Sequence, residues 1–191
     1  MDKEQILNLL HELGDELAEE QSYATINVCG GAAMAIAYNS QKTSDDIDAV
    51  LVDFDDRNKF TECIMKIAMR HNLPKNWLNE DIKIFVNSLR EFSYIDFGKL
   101  GTLSIRIASE EQLLAMKLFA ARRKDLADAI ILCKSLKIET KEGLTAVLEK
   151  YFSERARHFE IFRFKNDRRF SDFQDEIIST IEKIEKEKGA I

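Results

Sequence analysis

Proline occurs once, at Pro74, and glycine only seven times in 191 residues, so the chain has no stretch with the composition of a flexible or proline-rich linker. No apolar run approaches the roughly 20 residues of a membrane-spanning helix, and no membrane partner is expected. Cysteine is as sparse: Cys29, Cys63 and Cys133 are odd in number and widely spaced, which excludes a disulfide framework and a CxxC metal pair. They read as buried or half-buried reduced thiols. His11, His71 and His158 are equally scattered, against a zinc site. The opening segment, MDKEQILNLLHELGDELAEE, is acidic and periodic, unlike a secretion signal, so a reducing cytoplasm is the expected compartment. The formal net charge of −6 disfavours indiscriminate nucleic-acid binding, which depends on neutralising many phosphates.

What is present is an ordinary globular balance, 45% hydrophobic and 32% charged residues, with enough chain for one compact unit and a substantial core. Residues 4–20 place Ile6, Leu9, Leu10, Leu13 and Leu17 at helical spacing, so the chain opens with an amphipathic helix. Residues 24–29 alternate as a strand and run directly into Gly30-Gly31, after which AAMAIAY reads as a short helix of small residues. Asn39 to Ser44 is a polar loop, Ile47 to Val52 a second strand, and 56–72 a helix. Pro74 stops that helix, because proline disfavours helical geometry in the residue before it. Trp77 to Leu89 reads as mixed helix and short strand, with Trp77 as a packing anchor.

Tyr94 to Phe97 and Leu103 to Ala108 are expected strands, joined by a turn at Gly98-Lys99-Leu100-Gly101. Ser109 and Gln112 have the capping-box spacing and start a helix through Leu113, Leu114 and Leu118 that pauses near Arg122 to Lys124. Helices are expected over 126–136, 140–152, 153–163 and 170–187, ending in a frayed tail. This order predicts an α+β fold: a small mixed β-sheet core over 1–108, N-terminal helix included, and a helical C-terminal region over 109–191 packed on it.

One constellation carries chemistry. Cys29-Gly30-Gly31 ends the first strand, fourteen residues follow, and Asp46-Ile47-Asp48 opens the second. Alternate strand side chains share a face, so Asp46 and Asp48 project together. Two adjacent carboxylates repel each other and favour a divalent cation between them. Oxygen ligands of this kind suit Mg²⁺, which takes one or two protein carboxylates plus substrate phosphates. Gly30 and Gly31 lack side chains where a helix begins, so their backbone N–H groups can approach a phosphate closely. A glycine turn beside a carboxylate pair is the arrangement that binding of an NTP with Mg²⁺ requires.

These residues resemble the signature of the nucleotidyltransferase superfamily related to polymerase beta, in which a hydrophobic-Gly-Gly/Ser turn precedes an acid-x-acid strand. Leu113-Leu114-Ala115-Met116-Lys117-Leu118, with Arg122, Lys124-Asp125-Leu126 and Asp128, resembles the Lys-then-Arg-Asp pattern of the AbiEii-type toxin nucleotidyltransferases. Leu73-Pro74-Lys75-Asn76-Trp77-Leu78-Asn79 is similar to a related group of bacterial proteins known as a domain of unknown function. The resemblance covers residues 25–135. It implies that Asp46 and Asp48 hold Mg²⁺ (or Mn²⁺), that Gly30 and Gly31 contact the triphosphate, that Lys117 and Arg122 bind the nucleotide, and that Asp125 sits near the metal or the attacking hydroxyl.

It also implies an NTP substrate, a tRNA or other RNA acceptor, and a toxin acting with a cognate antitoxin protein. Transfer to a small molecule or to a protein hydroxyl, and a non-catalytic binding role, stay open. At about 100° per residue, an unbroken helix sets Lys117 within about 20° of Asp128 and about 80° from Asp125, whereas a break at Arg122-Arg123-Lys124 turns Asp125 inward. Many members of the superfamily carry a third carboxylate on a later strand. Here Arg106 occupies the corresponding centre, with Asp96 as an apolar-flanked alternative.

Between Arg155 and Arg169 six basic residues stand against Glu160 and Asp167, interleaved with Phe159, Phe162 and Phe164. This segment is read as an amphipathic helix with core aromatics and solvated arginines, an RNA cradle being the alternative.

Overall fold

In the computed structural model, residues 1–38, 43–156 and 170–188 are described. The basic segment from Arg157 to Arg169, with the choice between helix and RNA cradle, lies outside them, as do part of the loop before Ser44 and the last three residues. In chain order the elements are α1 (Lys3–Glu19), β1 (Ala24–Val28), α2 (Gly30–Ala37), β2 (Ile47–Phe54), α3 (Arg57–His71), β3 (Leu78–Asn79), α4 (Lys83–Val86), β4 (Tyr94–Leu100) and β5 (Leu103–Ala108). Then come α5 (Glu110–Ala120), a 3₁₀ turn (Arg123–Asp125), α6 (Leu126–Leu136), α7 (Lys141–Tyr151) and α8 (Phe170–Lys188). The fold is α+β. No described helix is long and apolar enough to cross a membrane.

The chain divides into two compact units, Met1–Ile84 with Ser93–Ala108, and Phe85–Phe92 with Ser109–Ile191. The first unit holds a five-stranded mixed sheet in the order β3-β2-β1-β5-β4. β1 is antiparallel to β2 and parallel to β5, β2 is parallel to β3, and β4 is antiparallel to β5. Register separates the two faces by chemistry. Ile26 pairs with Leu51 and Ile105, and Val28 with Ala49 and Ile107, so one face is apolar, and all six of these residues are buried. On the opposite face Asn27 pairs with Val50 and Arg106, Thr25 with Ser104, and Asp96 with Arg106.

Helix α1 buries Ile6, Leu9, Leu10, Leu13 and Leu17 and packs against α2, α3, β4 and β5. Its start is a capping box in which Asp2 accepts from the Gln5 N–H and Gln5 returns the bond, satisfying two of the orphan donors of a helix terminus. Gly14 permits the contact with the β4–β5 turn. A Cβ there would lie 2.7 Å from the Leu100 carbonyl carbon, and the Gly14 carbonyl accepts from the Thr102 N–H at 3.3 Å. Since backbone cannot yield as a side-chain tip can, Gly14→Ala is expected to cost about 1–3 kcal/mol, as overpacking does. A lowered urea midpoint checks this, and an unchanged midpoint contradicts the close approach.

The β4–β5 connection differs from the expected turn at Gly98 to Gly101. A register shift between Asp96 and Gly98 absorbs Gly98, at φ +143°, into the strand. β4 therefore continues to Leu100, and the chain reverses at Gly101 (φ +55°) and Thr102.

In the second unit Phe85–Phe92 joins the helices, although the sequence places it within 1–108. Leu89 bridges Phe152, the Arg90 N–H donates to the Tyr151 carbonyl at 2.8 Å, and the Phe85 ring meets Phe119 edge-on at 5.9 Å. Helices α5, α6, α7 and α8 enclose Leu114, Leu118, Leu132, Leu144, Phe173 and Ile177, all buried. Ser109 caps α5, its hydroxyl accepting from the Gln112 N–H at 3.3 Å. α5 stops at Ala121, whose left-handed conformation (φ +43°) ends the helix before the 3₁₀ turn.

Candidate functional site

In the first unit the glycine turn and the acidic strand meet. The Cys29 N–H donates to the Asp48 carbonyl at 2.8 Å, which extends the β1–β2 ladder to the residue before Gly30. Gly30 then takes φ +61°, a left-handed conformation costly for any residue with a Cβ, and α2 begins. A Cβ at Gly30 would lie 2.6 Å from the Asp48 Oδ2, and one at Gly31 would lie 2.8 Å from the Ser44 Oγ. Both glycines therefore leave the space that a side chain would fill beside a carboxylate and a hydroxyl. The cap residue Cys29 offers α2 no side-chain hydrogen bond, so the first N–H groups of this helix are not capped by it, and a helix start of this kind favours an anion.

Asp46 lies just before β2 and Asp48 within it. Asn79 pairs with Asp48 across β2 and β3, and its amide donates to the Asp46 Oδ2 at 3.0 Å. Paired residues share a side of the sheet, so Asp46, Asp48 and Asn79 stand on one face. β3 is held there by its neighbours: the Ile47 N–H donates to the Trp77 carbonyl at 2.7 Å, and the buried Trp77 indole donates to the Ile64 carbonyl at 3.1 Å. Trp77 is thus the packing anchor that its isolation in the sequence suggests. Next to it Glu80 accepts from the Leu51 N–H at 3.0 Å and from Arg57 at 2.7 Å.

Two carboxylates and a glycine turn fit an oxygen-coordinated divalent cation that draws further ligands from a substrate. Among the described residues no group of three or more His, Cys, Asp or Glu side chains could hold a metal ion. Burial pushes the Cys29 thiol up to about 12, the Asp48 charge adding to the effect, so this cysteine stays protonated at neutral pH beside the site.

Asp96 is not brought to this cluster. It pairs with Arg106 on the outermost strand, three strand spacings, about 14 Å, from β2. Its carboxylate meets the Arg106 guanidinium at 3.3 Å, and the same guanidinium lies 4.5 Å from the centre of the Tyr94 ring. Asn27, between Arg106 and β2, is buried (5% exposed) and its Oδ1 has no hydrogen-bond partner among the described residues. A buried unpaired acceptor costs about 1–3 kcal/mol.

In the second unit Lys117, Arg122, Asp125 and Asp128 form a charge cluster at the α5–α6 junction. The Lys117 ammonium donates to Asp128 Oδ2 at 2.8 Å and to Asp125 Oδ1 at 3.4 Å. Arg122 binds Asp125 through two nitrogens, at 2.6 and 3.2 Å. The Lys117, Asp125 and Asp128 side chains are only 7%, 5% and 8% exposed, against 46% for Arg122. Burial alone raises the Asp125 carboxyl, but its bonds and proximity to Arg122 and Lys117 outweigh this and hold it below the usual range. The chain does break at Ala121 to Asp125, which turns Asp125 inward, yet Asp128 also reaches Lys117. Helical phase and chain break each select one acid, and the structure pairs Lys117 with both.

Sequence reasoning gave no role to Asn79, Ser44 or Asn27. Asn79 lies in a strand of two residues, too short for periodicity, and Ser44 and Asn27 gain their places only through the neighbours of Gly31 and Arg106. Comparison with known proteins finds no family model, no curated protein and no solved structure that matches this chain.

Proposed function

We propose that the chain is a metal-dependent nucleotidyltransferase of the polymerase-beta-like superfamily, moving a nucleotide from an NTP to an acceptor hydroxyl. The observation that carries this reading is the meeting of the Gly30-Gly31 turn with Asp48 and Ser44, beside Asp46 oriented by Asn79. Asp46 and Asp48 hold Mg²⁺ or Mn²⁺, which when bound neutralises triphosphate charge and orients it for in-line attack. Gly30 and Gly31 let the phosphates approach the N–H groups that open α2. Asn79 fixes the Asp46 carboxylate in one orientation. Lys117 and Arg122 keep the phosphate-binding roles that the resemblance gives them, and Asp125 its place near the attacking hydroxyl. The acceptor is RNA, the end of a tRNA by that resemblance, and the protein is the toxin partner of an antitoxin, working in the cytoplasm.

The test is incubation with labelled NTPs, Mg²⁺ and total RNA. Label is expected to enter RNA with the wild type and not with Asp46→Ala/Asp48→Ala, and equal signal from both would sink the assignment. Label found in protein or in a small molecule keeps the reaction and moves the acceptor.

A further inference from the structure

The polar face of the sheet continues past the carboxylates. Asn27 pairs directly with Arg106, one strand away at about 4.8 Å. On its other side Asn27 pairs with Val50, which makes Asp48 its diagonal neighbour within about 8 Å. The row across β2, β1, β5 and β4 reads Val50, Asn27, Arg106, Asp96, with Asp48 one diagonal step from Asn27. The Asn27 side chain is more than nine-tenths buried and its Oδ1 accepts no hydrogen bond among the described residues, although the guanidinium on the next strand is a donor. That guanidinium turns instead to Asp96, whose side chain is 84% exposed, and lies over the Tyr94 ring. An ion pair with so exposed a partner is held weakly, so an arriving oxyanion can displace Asp96.

We propose that Asn27 and Arg106 form a sugar-phosphate subsite beside the carboxylate pair, with Arg106 taking a phosphate through its fork of N–H donors and the Asn27 Oδ1 accepting from a neighbouring sugar hydroxyl. This rests on the nucleotidyltransferase reading for its ligand class and on the register for its placement. The sugar phosphate comes from the NTP or from the acceptor, and the chemistry is the same for both.

The experiment is calorimetric titration of the full chain with two probes, an NTP with Mg²⁺ and an RNA dinucleotide without triphosphate. Arg106→Gln and Asn27→Ala are each expected to weaken one probe by about tenfold or more, the scale of a lost charged or buried hydrogen bond. Loss confined to the NTP assigns the subsite to the incoming nucleotide, and loss confined to the dinucleotide assigns it to the acceptor. Asp96→Asn, at an exposed position, is expected to tighten the same probe by freeing Arg106, a gain that no purely structural role produces. Asn27→Ala is expected to leave the urea midpoint unchanged or raised, because it removes an unpaired buried acceptor.

Unchanged binding of both probes by Arg106→Gln and Asn27→Ala overturns the subsite. If Asp48→Asn abolishes NTP binding while those two variants bind as wild type, the metal site stands and the subsite falls. If Asp48→Asn has no effect while Arg106→Gln weakens a probe, the subsite stands and the metal reading falls. Failure of the wild type to bind either probe overturns both.

Discussion

Gly30→Ala is expected to weaken Mg²⁺-dependent NTP binding by at least about a hundredfold. Residues that merely support a metal ligand change affinity by about 10–100-fold when lost, and on the proposed reading this substitution displaces a ligand, Asp48, itself. The added Cβ would lie 2.6 Å from Asp48 Oδ2, so the carboxylate must swing away or the turn must open. The fold has a separate cost. Gly30 sits at φ +61°, where an alanine is strained by about 1–2 kcal/mol. Calorimetry separates the two effects when paired with urea unfolding, because binding should collapse while most of the stability remains. Gly31→Ala is the contrast: its backbone is not left-handed, and its Cβ would meet the Ser44 Oγ at 2.8 Å, a movable tip. Gly31→Ala should therefore bind better than Gly30→Ala, and Gly31→Ala/Ser44→Ala should regain most of what the single change loses. Wild-type affinity in Gly30→Ala would remove the glycine turn from the site.

Lys117→Met is expected to destabilise the second unit by about 3–5 kcal/mol, the penalty for removing one partner of a buried ion pair. Methionine fills much the same volume, so the loss is electrostatic. Arg122 still binds Asp125 at 2.6 Å, so the loss falls on the Lys117–Asp128 contact at 2.8 Å, and Lys117→Met/Asp128→Leu isolates that contact. Urea unfolding of the wild type, the single variant and the pair gives the coupling directly.

The acid limb moves in a definite direction. Asp125 is held below the usual carboxylate range in the folded chain, so its contribution is complete above the unfolded value and disappears as pH falls through the folded one. Removing Lys117 raises the folded value, so acid unfolding of Lys117→Met should begin at a higher pH than in the wild type. Lys117→Arg, which retains the charge, distinguishes chemistry from architecture: lost transfer at wild-type stability would place the ammonium in the reaction, while retained transfer would confine it to the α5–α6 junction.

Much of the first unit follows from local pattern. Alternation at 24–29 and 47–52 and the apolar stripe of α1 mark elements whose core face is uniform, and Gly30-Gly31 followed by Asp46 and Asp48 stands out because residues of special conformation and charge are adjacent in sequence. The hairpin lies elsewhere than local pattern places it, for the converse reason. Gly98 and Gly101 look alike as letters, but a register shift after Asp96 makes one a strand residue and the other the turn. Gly14 gave no signal either: within an amphipathic helix it is a tolerated weakness, and only the Leu100 carbonyl against its Cα shows that it is required.

By itself, then, the sequence determined the α+β class, the apolar faces, and the glycine turn and carboxylate pair, because each is written in periodicity or in contiguous residues. Tertiary structure decided what depends on strand pairing and on chain reversal. It set Asn79 on Asp46, paired Asn27 with Arg106 and put Asp48 on its diagonal, sent Asp96 to the far edge, and brought both Asp125 and Asp128 to Lys117. Those neighbours are separated by tens of residues along the chain or by a break in a helix, so strand register in the first unit and the chain break in the second make them adjacent.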